Sequence, residues 1–287
     1  MTFSIVAVDT ATGDIGVAVA SKFLAVGNLV PWVEAGVGAV ATQALCNARF
    51  GPDGLKLMAG CGAGEALEKL LAVDEGRDRR QVGLVDARGG AASHTGAGCH
   101  GWAGHKTGSG GTGAGYAAQG NCLAGEAVVA AMAGVFESTP GPLYQKLFAA
   151  LSAGDAAGGD RRGRQSAALK VLRKNAGYQG LGDMVVDLRV DDAPDPFGEL
   201  RRLMDLHRLY FFTGDCERLS LEGEVLETLR VLMRRAGHAD NFAHGWSEGL
   251  GQAIDAFIGN ENLEERFDLK SRGIDRLALD HLAGLYL

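Results

Sequence analysis

The sequence predicts an α+β fold of stacked sheets and helices, followed by a small all-helical domain. Three observations support this prediction. Apolar strands come in adjacent pairs that are typical of hairpins, helical patterns lie between these pairs, and helical patterns predominate after about residue 214. Hairpins separated by helices indicate an antiparallel layered fold rather than a parallel sheet. We therefore expect an α+β domain over residues 1–213 and a helical domain over residues 214–287.

The first hairpin makes a specific geometric prediction. It consists of two apolar strands, at residues 3–8 and 15–21. Asp9 and Asp14 flank a short turn that ends in Gly13, where a positive φ is favourable. This turn places Thr2 directly opposite Ser21, on the same face of the hairpin. Both strands are apolar on both faces, so we expect other layers to cover the sheet on each side.

The rest of the chain continues this pattern. Further elements of the first domain are predicted at residues 37–42, 54–58, 65–71, 81–95, 125–136, 143–151, 166–172, 184–190 and 196–211. Eleven of the 30 residues from 96 to 125 are glycine, and we expect an ordered loop there. The tail shows helical patterns at residues 219–233, 249–258 and 275–282.

Charge and hydropathy exclude several classes of function. The chain has 28 Lys and Arg against 35 Asp and Glu, a net charge of −7, and no basic block, which argues against nucleic acids and anionic membranes as partners. Glu34 and Glu126 interrupt the longest apolar stretches, and the first residues lack a signal-peptide profile. Five cysteines at irregular spacing predict reduced thiols. We therefore expect a cytoplasmic protein.

Thr2 is the first candidate for chemistry. A residue as small as threonine at position two allows an initiator methionine to be removed, which would leave a hydroxyl and a free α-amine on one residue. That amine titrates at about pH 8 and could act as the general base for its own hydroxyl. Ser4 and Ser21 would add two hydroxyls on the same face, and Lys22 follows directly.

Charged and amide side chains supply further candidates. Arg161, Arg162 and Arg164 follow Asp160, and they could bind a substrate carboxylate or form an internal ion pair with Asp160. Four amides lie beside strand ends or glycine turns, namely Gln43, Asn47, Gln119 and Asn121. These amides could donate hydrogen bonds to a developing oxyanion or a substrate amide, or they could cap turns.

The glycine-rich stretch and one thiol suggest alternative chemistry. His94, Cys99, His100 and His105 are residue types that bind zinc, although their spacing matches no common zinc motif. His94 could instead be a general base or a buried histidine. Cys46 is the best candidate for a thiol nucleophile, with an inert buried thiol as the alternative.

Several blocks of sequence resemble a known family. They lie at residues 1–7, 17–22, 41–47, 119–121, 158–166 and 186–192. Together they resemble the bacterial family called domain of unknown function 1028, over nearly the whole chain. The resemblance implies an N-terminal-nucleophile (Ntn) hydrolase-like fold, a four-layer αββα sandwich. The first hairpin is also similar to the catalytic-threonine hairpin of proteasome β subunits, which implies roles near the nucleophile for Ser21, Asp160 and Ser166.

The tail resembles the C-terminal segment that many members of this family carry, which is labelled as a peptidoglycan-binding domain. The similar residues are 222–229 and 256–266. Because we expect a cytoplasmic protein, we interpret this segment as a packing or oligomer contact. Leu226, Leu229 and Met233 are its predicted core.

These observations together predict an amidohydrolase that acts on a small amide or acyl substrate, with Thr2 as the nucleophile. Ser21, Lys22 and Asp160 would tune proton transfer, amides near Gln43 and Asn121 would hold the oxyanion, and Arg162 would bind a carboxylate. The other predicted substrate-binding residues are Asn47, His94, Gln119 and Ser166. The mechanism requires no cofactor, and the expected partners are a small molecule and further copies of the chain.

Two other functions stay open at this point. The first is a non-catalytic protein that binds a small molecule or a partner on the same fold. The second is a metal-dependent hydrolase that uses His94, Cys99 and His105.

Overall fold

Antiparallel strands and helices alternate along the chain. The computed structural model describes residues 2–110, 113–212 and 216–287. Its strands and helices are β1 (Thr2–Asp9), β2 (Asp14–Ser21), β3 (Pro31–Glu34), β4 (Gly38–Ala44), α1 (Phe50–Met58), α2 (Ala63–Ala72), β5 (Arg80–Asp86), β6 (Ala91–Thr95), β7 (Trp102–Gly110), β8 (Ala114–Leu123), α3 (Glu126–Ser138), α4 (Leu143–Ala156), β9 (Ser166–Leu172), β10 (Met184–Val190), α5 (Pro196–Phe211), β11 (Arg218–Ser220), α6 (Gly223–Arg235), α7 (Glu248–Asn260), β12 (Phe267–Asp268), β13 (Gly273–Asp275) and α8 (Arg276–Tyr286). The α+β class is therefore confirmed.

A six-stranded antiparallel sheet contains the first hairpin at its centre. The strand order is β10-β9-β2-β1-β8-β7. Thr2 pairs with Ser21 and Asp9 pairs with Asp14, which confirms the predicted hairpin register. Gly13 has a φ of 80°, as the turn requires. Thr2 also pairs with Asn121 on β8, so β1 has a strand on each side.

A second sheet packs against the first one. It has the order β3-β4-β5-β6 within the described residues. β1 contacts β4 and β5, and β5 also contacts β8, so the two sheets lie face to face. Helices α3 and α4 contact the six-stranded sheet, while α1 and α2 contact the four-stranded one. This cover explains why the central strands are apolar on both faces.

The layer between the sheets is apolar over much of its area. Val6 and Val8 of β1 point into it, together with Val17 of β2 and Val85 of β5. Because side chains alternate along a strand, Thr2 and Ser4 occupy the same face of β1 as these valines. The positions of the apolar residues therefore place the polar end of β1 inside the same layer.

Most of the described part of the glycine-rich stretch forms two paired strands and not the predicted loop. β7 and β8 pair along residues 102–123. A Cβ at Gly115 would lie 2.2 Å from the carbonyl oxygen of Gly89, and one at Gly108 would lie 2.7 Å from the Tyr116 hydroxyl. Glycine is present here because neighbouring atoms fill the space of a side chain, and this overrides its low strand propensity.

Contacts divide the chain into a unit up to Leu203 and a unit from Met204. The predicted boundary between residues 213 and 214 lies outside the described residues. The second unit is mainly helical, as expected, and Leu226, Leu229 and Met233 are in its core. The expectation of helices alone needs a correction, because β11, β13 and β12 form a small antiparallel sheet.

Candidate functional site

Polar side chains replace the valines at one end of the layer between the sheets. They come from β1, β4, β5 and β8, and they are Thr2, Ser4, Gln43, Gln81, Gln119 and Asn121. All six are buried. Each of these four strands changes from apolar to polar at the same end of the layer. The inward-facing polar residues of all four strands therefore meet there. Buried polar groups must find hydrogen-bond partners, and these six find them largely in one another.

Thr2 is held by three side chains. Its hydroxyl donates to Oγ of Ser21 at 3.1 Å. Its carbonyl oxygen accepts from Nε2 of Gln43 at 3.1 Å and from Nδ2 of Asn121 at 3.4 Å. All three of these side chains are uncharged. The structure therefore brings together four of the predicted site residues, namely Thr2, Ser21, Gln43 and Asn121.

Gln81 lies behind the two amides that hold Thr2. Its Oε1 accepts from Nε2 of Gln43 and from Nδ2 of Asn121, each at 2.8 Å. Its Nε2 donates to the carbonyl oxygen of Gly120 at 2.8 Å and to Oγ1 of Thr95 at 2.9 Å. Gln81 is not among the site residues predicted from the sequence. The available signal was its position two residues before Gly83, next to the run of residues 82–85 that carries no polar side chain.

A second branch of the network runs through Ser4. The Ser4 hydroxyl donates to Oε1 of Gln43 at 2.7 Å and accepts from Nε2 of Gln119 at 2.7 Å. Gln119 thus joins the same network, although it contacts Ser4 and not Thr2. Ser4 fixes the remaining polar atom of the Gln43 amide.

The predicted oxyanion role of Gln43 and Asn121 needs revision in this arrangement. An amide nitrogen carries two hydrogens. Those of Gln43 are directed to Thr2 and Gln81, and those of Asn121 are directed to the same two residues. Both amides therefore position the Thr2 backbone.

Arg162 does not present a free guanidinium for a substrate carboxylate. Its Nη2 donates to Oδ2 of Asp160 at 2.7 Å and its Nε donates to Oδ1 at 3.1 Å. Of the two interpretations of this charge cluster, the structure supports the internal ion pair. Arg164 likewise pairs with Asp155. The carboxylate of Asp160 also accepts from the backbone N–H of Lys22 at 3.1 Å.

Asp160 and Ser166 both hold the segment that follows Ser21. Ser166 pairs with Ser21 in the sheet, donates to the carbonyl oxygen of Phe23 and accepts from the N–H of Val26. The ammonium of Lys22 is exposed and donates to the carbonyl oxygen of Arg164 at 3.2 Å. These residues shape the edge of the site without a hydrogen bond to Thr2.

Two predicted substrate-binding residues lie outside the network. Nε2 of His94 lies 2.9 Å from the carbonyl oxygen of Arg77. Oδ1 of Asn47 accepts from the backbone N–H of Arg49, which is a turn-capping role.

The proposed metal ligands do not form a site. Among the described residues there is no group of three or more His, Cys, Asp or Glu side chains that could hold a metal ion. Cys99 donates to the carbonyl oxygen of Arg80, and Nδ1 of His105 lies 2.9 Å from Oγ1 of Thr95. Burial, and to a lesser extent His94, lowers the pKa of His105.

Cys46 lacks the features of an activated nucleophile. Burial raises the pKa of its thiol. The thiol donates to the carbonyl oxygen of Thr42 at 3.4 Å. Nucleophilic cysteines need a lowered pKa, so the structure favours the inert thiol of the two interpretations.

Comparison with known proteins identifies the family of the chain. Residues 2–200 match the model described as "Family of unknown function (DUF1028)", and residues 210–282 match one described as "Putative peptidoglycan binding domain". A crystal structure of a DUF1028 protein from Silicibacter pomeroyi is similar, with 32% sequence identity and a TM-score of 0.64 over 75% of this chain and 90% of that chain. No curated protein matches the sequence. Among the described residues, no helix has the length and hydropathy to cross a membrane. The match over residues 2–200 and the similar crystal structure show that this chain belongs to the DUF1028 family.

Proposed function

We propose that this protein is an N-terminal-nucleophile amidohydrolase that cleaves a small amide or acyl substrate, with Thr2 as the nucleophile after removal of Met1. The observation that carries the proposal is the environment of Thr2. Its hydroxyl and its carbonyl are held by three side chains at the end of a central strand. Its hydroxyl, the proposed nucleophile, thus has a side-chain partner from β2, and its backbone carbonyl is held by amides from β4 and β8.

The chemistry follows from the groups that Thr2 itself carries. The Thr2 hydroxyl would attack the acyl carbon and its proton would pass to the α-amine of Thr2, which has a suitable pKa once it is free. The resulting ammonium would protonate the leaving amine as the bond between carbon and nitrogen breaks. Water would then hydrolyse the ester on Thr2, which releases the acyl group as a carboxylic acid and restores the hydroxyl. The uncharged partners of Thr2 supply no competing base.

Ser21 is the residue best placed to assist this transfer. Its hydroxyl accepts the hydrogen bond of Thr2 at 3.1 Å, so it orients the nucleophile. Asp160 and Lys22 contribute to the conformation of the segment after Ser21. Because the Arg162 guanidinium is paired with Asp160, the proposal does not require a substrate that carries a carboxylate.

The first test measures the intact mass of the protein and its hydrolysis of small amides. We expect the intact mass of untagged protein to show loss of one methionine and the protein to hydrolyse at least one member of a panel of small amides. Thr2→Ala should lower kcat by about 10³-fold or more, while Thr2→Ser, which keeps a hydroxyl, should retain measurable activity.

The exposed Thr10, which follows the opposite end of β1, provides a matched control. Thr10 donates to the carbonyl oxygen of Gly113, and Thr10→Ala should leave kcat unchanged. Retention of Met1, or full activity in Thr2→Ala, would refute the proposal. Retention of Met1 would favour the non-catalytic binding protein considered above.

A further inference from the structure

Gln81 contacts both amides that hold Thr2 but makes no hydrogen bond to Thr2 itself. We propose that Gln81 is the positioning residue of this site: it fixes the orientation of Gln43 and Asn121, and through them the backbone of Thr2. The role of Gln81 in catalysis rests on the function proposed above, whereas its role in orienting the two amides does not.

The orientation of the Gln81 amide is set by the backbone. Its Nε2 lies 2.9 Å from Oγ1 of Thr95, and the carbonyl oxygens of Gly104 and Gly120 lie 3.2 Å and 2.8 Å from the same nitrogen. A carbonyl can only accept, so the NH₂ group of Gln81 must face these two oxygens. Its Oε1 must then face in the opposite direction, towards Gln43 and Asn121. One carbonyl of β7 and one of β8 therefore determine how Gln81 is oriented.

The orientation of Gln81 determines the orientation of the two amides beside it. Because Oε1 can only accept, Gln43 and Asn121 must each direct an N–H to it, and both do so at 2.8 Å. The second hydrogen of each amide is then aimed at the carbonyl oxygen of Thr2. A reversed Gln43 would place its oxygen against the oxygen of Gln81 and would lose the bond from Ser4.

Burial makes each of these hydrogen bonds necessary. Gln43, Gln81 and Asn121 are each exposed by 1% or less. Water therefore cannot replace a lost partner, and a misoriented amide stays unsatisfied. Thr2 would keep its sheet pairing but lose the two bonds that fix its carbonyl.

Two substitutions of Gln81 test the inference. Gln81→Leu removes both the acceptor and the donors, and we expect kcat to fall about tenfold or more while KM changes by less than about twofold. Gln81→Glu keeps the acceptor but places a carboxyl oxygen against the two glycine carbonyls. The neutral acid can donate there, so kcat of this variant should recover as the pH is lowered, relative to the pH profile of the wild type. Gln145→Leu, an exposed glutamine of α4, is the matched control with unchanged kcat.

A second readout separates this inference from the proposed function. The side-chain amide resonances of Gln43 and Asn121 should shift in Gln81→Leu and should stay in place in Gln145→Leu. If the wild type hydrolyses no amide, the proposed function fails, while these resonances still test the orienting role of Gln81. The inference would be overturned by unmoved resonances, or by a Gln81→Leu variant that folds and has the kcat of the wild type. If Gln81→Leu does not fold, the pH profile and the resonances of Gln81→Glu decide.

Discussion

Gly83 shapes the site through the side chain that it lacks. A Cβ at this position would lie 2.1 Å from Oε1 of Gln119, which is well inside van der Waals contact. The Gln119 amide therefore occupies the space above the β5 backbone and donates to Ser4 from there. The requirement for glycine is steric, because residue 83 belongs to a regular strand.

Gly83→Ala should consequently destabilise the protein. We expect a loss of about 1–3 kcal/mol, because the added methyl must displace the Gln119 amide and break its bond to Ser4. Urea unfolding measures the change. Gly134→Ala is the control, since this exposed glycine of α3 has open space around it and alanine there should stabilise by about 0.5–1 kcal/mol. Equal midpoints for wild type and Gly83→Ala would contradict the steric argument.

Individual site residues differed in how far the sequence could predict them. The pairing of Thr2 with Ser21 was predictable because one short turn fixes the register of a hairpin. Gln81 was not, because its amide partners lie 38 and 40 residues away and no local pattern encodes that proximity. The role of Arg162 was ambiguous for the opposite reason. Its partner Asp160 is so close in sequence that both an internal ion pair and a site for a substrate carboxylate fitted the pattern.

At the scale of elements, the loop after α6 depends on one buried carboxylate. The side chain of Asp240 is inaccessible to solvent and accepts from Nε and Nη2 of Arg230. Hydrogen bonds from Arg230 lower the pKa of Asp240 below its ordinary value, and Arg234 adds to this effect while burial opposes it. The ion pair thus joins α6 to the chain that leads into α7.

This ion pair predicts a defined pH dependence. A carboxylate whose pKa is lower in the folded state stabilises the fold above its unfolded pKa, and the contribution is lost as the pH falls through the folded value. Asp240→Asn should therefore cost about 3 kcal/mol at about pH 7, with a smaller difference from wild type at about pH 3. Chemical unfolding at both pH values measures it, with the exposed Asp255→Asn of α7 as the control. A difference that does not change with pH would refute the assignment.

Strands and helices were predicted well where a hydrophobic pattern in the sequence marks them. They were predicted poorly where close contacts between distant residues determine the structure. The apolar run of β9 and the helical pattern of α6 were sufficient to find both. β7 and β8 were missed because glycine carries no periodic signal. β11, β12 and β13 have at most three residues each, which is too short for any pattern to emerge.

At the scale of the whole molecule, the net charge of −7 and the lack of a basic block argue against nucleic acids as partners. We expect no retention of the protein on double-stranded DNA columns at about 0.1 M salt, because binding to the phosphate backbone depends on basic side chains that replace counterions. Elution in the flow-through is the expected result. Retention that weakens as salt is raised would contradict this prediction and would direct attention to an unrecognised basic surface.

β1 is paired on one side with its neighbour in the chain and on the other with a distant strand. The hydrogen bond between Asn121 and Thr2 joins residues 119 positions apart. A hairpin closes within microseconds, whereas distant strands must first overcome the entropy of a long loop. The β1–β2 hairpin can therefore form during synthesis, but Thr2 has its amide partners only after β8 has been made and has docked. The surroundings of Thr2 thus report the docking of β8 rather than the closure of the first hairpin.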